Sequence, residues 1–238
     1  MPRLILAFCL VLFAAPASAQ SFNAQEQAEI RAVVRDYLAN NPDVLREALD
    51  ALELHVASER WQQVRSDSRD FSMGAADAPI VIVEFFDYRC TFCHAALEWV
   101  TDIARTRDDV RIVFKELPIL SDQSIEASRA SVAAMPQGRY WAFHRAMLEH
   151  RGELDGARID ALARASGIDV PRMRRAMQSP EVAALLADNR AHAVDYQIDG
   201  TPGFIINGEL VPGFRREALD ARLREVTRET RTRRQAQR

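Results

Sequence analysis

The chain has 238 residues, of which 48% are hydrophobic and 27% are charged. These fractions are typical of a soluble globular protein and argue against a disordered chain. The formal net charge is −3, so charge gives no reason to expect a nucleic-acid partner, and none is expected.

Residues 1–19 have the pattern of a secretory signal peptide. Arg3 supplies the positive charge, residues 4–15 form a short apolar run, and Ala17-Ser18-Ala19 matches an A-x-A cleavage site. The apolar run is shorter than the roughly 20 residues that a membrane-spanning helix needs. We therefore expect cleavage before Gln20 and a mature protein outside the cytoplasm.

Residues 20–70 are predicted to form a helical N-terminal arm. Two runs of apolar side chains at helical spacing are separated by Asn40-Asn41-Pro42, and the second run has a heptad-like spacing. The runs consist of Ile30, Val33, Val34, Tyr37 and Leu38, and of Leu45, Leu49, Leu52 and Val56. Two interpretations stay open: a helix that packs on its own domain, or an arm through which copies of the chain associate.

A βαβ unit is predicted from residue 71 onward. Residues 80–86 are an almost continuous apolar run rich in β-branched side chains, which is typical of a strand buried on both faces. Cys90-Thr91-Phe92-Cys93 then opens a predicted helix, and residues 110–114 form the next strand.

The remainder is predicted to be a helical block followed by a ββα unit. Residues 121–195 show helical patterns, and Gly200-Thr201-Pro202-Gly203 precedes a hairpin with the turn Asn207-Gly208. A last helix is predicted over residues 215–226, and the basic tail 228–238 is predicted to be disordered. The fold class is therefore α/β: a thioredoxin fold with an all-helical insertion between its βαβ and ββα halves, preceded by the arm.

The cysteine pair carries the predicted chemistry. Loss of the signal peptide removes Cys9 and leaves Cys90 and Cys93 as the only cysteines. A pair two residues apart closes almost no loop, so it contributes little as a structural disulfide. At the start of a helix, the free N–H groups and the dipole stabilise a thiolate on the first cysteine. We therefore assign Cys90 as the nucleophile of disulfide exchange and Cys93 as the resolving thiol.

Other uses of the pair remain open at this point. A zinc site normally needs four ligands, and neither a second cysteine pair nor ligand-spaced histidines are present, so we expect no metal and no cofactor. Two thiolates can hold Cu(I), which makes a non-catalytic periplasmic chaperone or Cu(I)-handling protein the alternative function. His94 either tunes Cys90 electrostatically or faces solvent.

Three further features agree with redox chemistry. Glu84 is a lone acid in the buried strand, and buried acids tend to mark functional sites; the alternative is an acid that reaches solvent at a sheet edge. Thr201-Pro202 precedes a strand, where a cis proline can lie against the cysteine pair and present backbone groups to an extended substrate. Phe92, beside Thr91, can contact unfolded chains, whereas Phe204 is expected in the core.

Three stretches of the sequence resemble the DsbA family of periplasmic thioredoxin-fold proteins. They are residues 82–93, residues 113–118 and residues 200–208. The similarity spans about residues 71–226. It implies a DsbA-like thioredoxin domain over residues 71–227 and a location in the periplasm.

The resemblance also implies roles for individual residues. Cys90 is expected to be the nucleophile, Pro202 to be cis, and Glu84 to be the buried acid that aids proton transfer from Cys93. The common proline after the first cysteine is replaced by Thr91 here. Because this position tunes the redox potential in the family, the strength of the protein as an oxidant stays open.

The arm resembles the N-terminal extensions of ScsC-like members, which can form trimers that shuffle disulfides. This implies a homo-oligomer, such as a trimer. The expected clients are unfolded or misfolded secreted proteins. The membrane redox partner is either a quinone-linked oxidase, for a dithiol oxidase, or a thiol reductant, for an isomerase, and the arm favours the isomerase.

Overall fold

The computed structural model describes residues 22–236, so the predicted signal peptide and Cys9 lie outside the described residues. The chain divides between Glu53 and Leu54 into two compact units. In the part described, no helix is both long and apolar enough to cross a membrane.

The N-terminal unit is helical, as predicted. It contains α1 (Ala24–Asn40) and the first part of α2 (Pro42–Arg65). Asn23 caps α1 through a capping box, in which its side chain accepts backbone N–H groups and the Glu26 side chain accepts the N–H of Asn23. No side chain of α1 is buried. The exposed large apolar side chains of this unit include Ile30, Val33, Val34, Tyr37, Leu45, Leu49 and Leu52.

The boundary between the units differs from the predicted one at residue 70. The last part of α2 belongs to the second unit because Val64 is fully buried against the sheet, where Trp61 also packs. The carbonyl of Arg65 accepts a hydrogen bond from the Arg111 guanidinium. Full burial of a valine stabilises a fold by roughly 1.5–3 kcal/mol, so these contacts attach residues 54–70 to the second unit.

A five-stranded mixed sheet with the order β1-β3-β2-β4-β5 forms the centre of the second unit. The strands are β1 (Phe71–Met73), β2 (Ile80–Phe86), β3 (Val110–Glu116), β4 (Gly203–Ile206) and β5 (Glu209–Pro212). β2 and β3 are parallel, and the other neighbours are antiparallel. β2 is central and buried along its whole length, as predicted.

Helix α3 (Thr91–Thr106) joins β2 to β3 and completes the predicted βαβ unit. The helical insertion follows. It consists of α4 (Asp122–Ala134), α5 (Tyr140–Glu149), α6 (Gly156–Ala165), α7 (Val170–Ala176) and α8 (Pro180–Asp195). β4 and β5 then form the predicted hairpin, in which Asn207 and Gly208 have φ values of 46° and 94°. This left-handed backbone is why the turn uses Asn-Gly. The predicted thioredoxin fold with a helical insertion is thus confirmed.

The last helix, α9 (Arg216–Ala236), is longer than predicted. The prediction of disorder is wrong over residues 228–236, which are helical. Leu219, Leu223 and Val226 are buried and anchor the helix to the domain. Once nucleated, a helix extends at little cost through residues of good propensity such as arginine and glutamate, so the basic tail continues it.

Candidate active site

The cysteine pair lies where β2 leads into α3. Cys90 is the N-cap residue of this helix, with an extended backbone, and Cys93 lies in its first turn. The N–H of Cys93 donates to the carbonyl of Cys90 at 3.0 Å. Both are free thiols; Cys90 is 6% exposed and Cys93 is fully buried. Of the two thiols, only Cys90 therefore keeps an exposed surface.

The surroundings of Cys90 lower the pKa of its thiol to about 5. The largest contribution is a hydrogen bond from the Cys93 side chain. Burial opposes it, while the Thr201 side chain and the backbone N–H groups of Cys93 and Phe92 lower the pKa further. At neutral pH, Cys90 is therefore a thiolate, the nucleophilic form of cysteine.

The loop before β4 lies against Cys90. The carbonyl oxygen of Thr201 is 3.0 Å from Cys90 Sγ and accepts the proton of the thiol form. The buried Thr201 hydroxyl has no other hydrogen-bond partner among residues 22–236, so it is free to donate to the thiolate form. The Thr201–Pro202 peptide bond is cis, as expected, and Pro202 is buried. Thr201 thus serves both protonation states of the nucleophile.

Cys93 and Glu84 are the buried titratable residues whose charges interact with Cys90. Burial raises the pKa of Cys93 far above its usual range, and the negative charges of Cys90 and Glu84 add to this effect. Glu84 is buried on the central strand, between Phe114 and Phe204 of its neighbours, so it does not reach solvent at an edge. Burial, and then the charge of Cys90, raises the pKa of Glu84 to about 8. A carboxyl group with this pKa is suited to exchange a proton near neutral pH.

We expect Glu84→Gln to slow the release of a client by Cys93 roughly tenfold or more, since a general base typically contributes ~10²–10⁴-fold. Glutamine keeps the size of the side chain but cannot accept the proton. The wild-type release rate should rise with pH as the Glu84 carboxylate forms, with a midpoint below about 8, because the mixed disulfide removes the Cys90 charge that helps to raise the pKa of Glu84. Stopped-flow measurements of release at several pH values test this, and identical pH profiles for the two proteins would contradict the role of Glu84.

The two residues between the cysteines face solvent. Thr91 is exposed, and Phe92 is 64% exposed on the first turn of α3. Phe204, by contrast, is fully buried in β4, where its ring packs edge-on against Trp99 with 5.6 Å between centroids. The structure thus leaves Phe92 accessible and places Phe204 in the core, as expected from the sequence.

His94 is held between two partners. Its Nε2 lies 2.7 Å from the carbonyl oxygen of Tyr88, which can only accept, so this nitrogen carries the proton. Nδ1 then accepts a hydrogen bond from the Arg151 guanidinium at 2.6 Å. Burial, followed by weaker effects that include the charge of Arg151, lowers the pKa of His94. His94 is therefore neutral at physiological pH, and its clearest role is to orient Arg151 beside the cysteine pair.

Asp87, which was not predicted from the sequence as a site residue, fixes the turn before Cys90. The buried Asp87 carboxylate accepts backbone N–H groups of Arg89 at 2.7 Å, Ile119 at 2.9 Å and Leu120 at 3.1 Å. It thus ties the loop after β2 to the loop after β3. An aspartate directly after a buried strand, able to bond to the N–H two residues on, was the available signal.

A buried polar cluster around Glu116 was also missed. Its carboxylate accepts hydroxyl groups of Ser128 at 2.7 Å, Tyr88 at 3.0 Å and Tyr140 at 3.1 Å. Burial raises the pKa of Glu116 to about 8. Because Tyr88 lies two residues before Cys90, the cluster anchors the loop of the cysteine pair to the helical insertion.

A family model of the DSBA-like thioredoxin domain matches residues 81–223, which run from β2 into α9. The chain belongs to this family. A second model, the N-terminal domain of the copper resistance protein ScsC, matches residues 26–55 of the arm. The DSBA-like domain and the arm therefore have separate counterparts among known proteins.

Two solved structures are similar to this DSBA-like protein. A thioredoxin-like oxidoreductase from Silicibacter pomeroyi DSS-3 is 33% identical and covers 72% of this chain and 97% of its own, with a TM-score of 0.67. A linker-deletion mutant of ScsC from Proteus mirabilis is 26% identical and covers 89% of this chain and 100% of its own, with a TM-score of 0.66.

Curated relatives of this DSBA-like protein are longer. The Na(+)/H(+) antiporter NhaA 1 of Salinispora arenicola is 31% identical over 156 residues, which are 64% of this chain and 24% of the relative. The chain thus spans about a quarter of the length of that relative, so the antiporter activity is a property of the longer protein and is not assigned to this chain.

Proposed function

We propose that the protein is a periplasmic thiol–disulfide oxidoreductase that forms, reduces or isomerises disulfides in secreted proteins. The observation that carries this proposal is the contrast between the two thiols. Cys90 lies at the start of α3 with a pKa lowered to about 5, whereas burial keeps Cys93 protonated. One thiol is thus ready to attack, and the other reacts only after it loses its proton.

Reduction of a client proceeds in two exchanges. The Cys90 thiolate attacks a client disulfide, bonds to one client sulfur, and releases the other as a thiolate. Cys93 passes its proton to Glu84 and attacks the Cys90 sulfur, which releases the client thiolate and forms the Cys90–Cys93 disulfide. The client gains two electrons and the protein loses two. The reverse sequence forms a client disulfide, and isomerisation ends when a second client thiol displaces Cys90.

The proposed client-binding surface surrounds Cys90. Thr201 and Pro202 lie on one side, where backbone groups can pair with an extended chain, and exposed Thr91 and Phe92 lie on the first turn of α3. An extended chain of this kind occurs in unfolded or misfolded proteins. We therefore propose such proteins as clients and a membrane-bound redox protein as the partner that resets the dithiol.

We further propose that the arm joins copies of the chain into an oligomer such as a trimer. Its exposed apolar side chains and its match to the ScsC N-terminal domain support this. Several cysteine pairs around one client favour isomerisation. A membrane thiol reductant would keep these cysteine pairs in the dithiol state. The signal-peptide pattern supports the periplasmic location, as does the similarity to a periplasmic thioredoxin-like protein from Salmonella enterica.

Refolding of a scrambled multi-disulfide protein tests the activity. Reduced wild-type protein should restore the native disulfides, whereas Cys90→Ser should leave the uncatalysed rate. Equal recovery with both proteins would contradict the isomerase activity. The mass in solution tests the arm: we expect an oligomer that Leu49→Asp dissociates, since Leu49 is exposed in the N-terminal unit. If the wild-type protein is a monomer in solution, the proposed oligomer is contradicted.

The match of the arm to a domain of a copper resistance protein favours Cu(I) handling as a second candidate. Metal ligands must be deprotonated, and the raised pKa of Cys93 makes a two-thiolate site costly. Among residues 22–236, no three His, Cys, Asp or Glu side chains are placed to hold a metal ion. Competition with a Cu(I) chelator decides: Cu(I) binding that requires both cysteines, without any catalysed refolding, would favour this candidate.

A further inference from the structure

We propose that Arg89 and Arg151 form a carboxylate-binding site beside Cys90, which selects client segments with an acidic residue close to the reacting cysteine. The inference rests on the proposed function and names the class of client that the same site prefers. It is carried by a cleft next to the cysteine pair and by the arrangement of charge within it.

The cleft has a volume of about 460 Å³. Arg89 and Thr91, the residues on either side of Cys90, line it together with His94 of α3, and Arg151 lines it from the loop after α5. A client sulfur bonded to Cys90 therefore brings its neighbouring residues to the mouth of this cleft.

Arg151 is held in place from behind. Its Nη1 donates its two protons to the carbonyl of Leu148 at 2.8 Å, in the last turn of α5, and to His94 Nδ1 at 2.6 Å. The carbonyls of Glu149 and His150 lie 3.4 Å from the same nitrogen. The other two nitrogens of the guanidinium donate no hydrogen bond to the part of the chain that the structure describes, so they remain for a ligand.

Arg89 is held in a similar way. Its Nη1 donates to the carbonyl of Gly152 at 2.5 Å. Neither Arg89 nor Arg151 forms an ion pair with a carboxylate of residues 22–236. Glu153 is the only acid that lines the cleft, and it accepts a hydrogen bond from Gln123 at 2.5 Å. The cleft therefore carries more positive than negative charge.

Two restrained guanidinium groups are suited to bind a carboxylate. Arginine presents several N–H donors in a planar fork that matches a carboxylate. Because backbone carbonyls and His94 already restrain the two side chains, binding costs little side-chain entropy. A carboxylate next to the client cysteine would thus bind while its sulfur reacts with Cys90, which raises the rate of the first exchange.

Matched disulfide peptides that differ only in Glu or Gln beside the reacting cysteine test this site. With reduced wild-type protein, we expect the Glu peptide to react roughly three- to tenfold faster at low salt, and the ratio to approach one as salt screens the charges. Arg89→Gln combined with Arg151→Gln should abolish the preference. Arg105→Gln is the control, because Arg105 is exposed and paired with Asp102; it should keep the preference.

The ratio of the two rates cancels any change in the reactivity of Cys90 that the variants cause. Equal wild-type rates for both peptides at low salt would overturn the site, as would a preference that survives in the double variant. A third outcome is that oxidised glutathione reacts faster than its esterified form while the Glu and Gln peptides react at equal rates. The site would then bind a small thiol compound, and the assignment to protein clients would be overturned. If both peptides are reduced through Cys90 at equal rates, the inference fails although the proposed function stands; if neither peptide is reduced, both fail.

Discussion

Replacement of Cys93 by serine is expected to turn the protein into a trap for its clients. Cys90 would still attack a client disulfide, because it keeps a small exposed surface that Cys93 lacks and its thiolate is stabilised in part by Thr201 and the backbone of α3. Serine cannot attack the Cys90 sulfur, so the mixed disulfide persists until an external thiol removes it. We expect covalent adducts with unfolded proteins to rise at least roughly tenfold, as seen on non-reducing gels.

The matched control is Cys90→Ser, which leaves only the buried Cys93. Burial and a raised pKa make this thiol a poor nucleophile, so few adducts should form. A reducing agent should dissolve the adducts of Cys93→Ser. If Cys90→Ser forms as many adducts as Cys93→Ser, the assignment of Cys90 as the nucleophile is wrong.

The second large effect concerns pH. Alkylation of Cys90 by iodoacetamide should follow a titration with a midpoint near pH 5, the lowered pKa of its thiol, and not near that of a free cysteine, about 8.5. Cys93→Ala should move the midpoint upward most, because the Cys93 side chain makes the largest contribution. Thr201→Val, which removes the hydroxyl but keeps the carbonyl, should move it upward by less. A wild-type midpoint near 8.5 would contradict the structure of the site.

The same shift makes the stability of the reduced protein depend on pH. The pKa of Cys90 is about 5 in the folded protein and about 8.5, that of a free cysteine, in the unfolded chain. The thiolate therefore contributes its full stabilisation above about pH 8.5, and this is lost as the pH falls from there through 5. Glu84 has the opposite sign because its folded pKa is raised. Both reduced wild-type protein and reduced Cys90→Ser contain Glu84, so most of its contribution cancels when the two are compared. The difference between their free energies of unfolding should shrink as the pH falls towards 5.

Local rules explain what could be predicted from the sequence. The cysteine pair at the start of α3, the buried strand β2 and the Asn207-Gly208 turn each depend on a few neighbouring residues. The cis state of Pro202 and the role of Cys90 as the nucleophile followed from the resemblance as well. The boundary at residue 70 and the disorder beyond residue 228 were wrong, because Val64 and the anchored end of α9 depend on packing against distant parts of the chain.

The sequence by itself determined which atoms can react: two thiols at one helix start, an acid in the central strand, and a proline before the hairpin. The tertiary structure decided how they react. Thr201 reaches Cys90 across 111 residues of chain, and Arg151 reaches His94 across 57. Burial and charge then set the pKa values of Cys90, Cys93 and Glu84. These effects depend on which distant residues surround a group and how much water they exclude, and residue spacing along the chain does not contain that information.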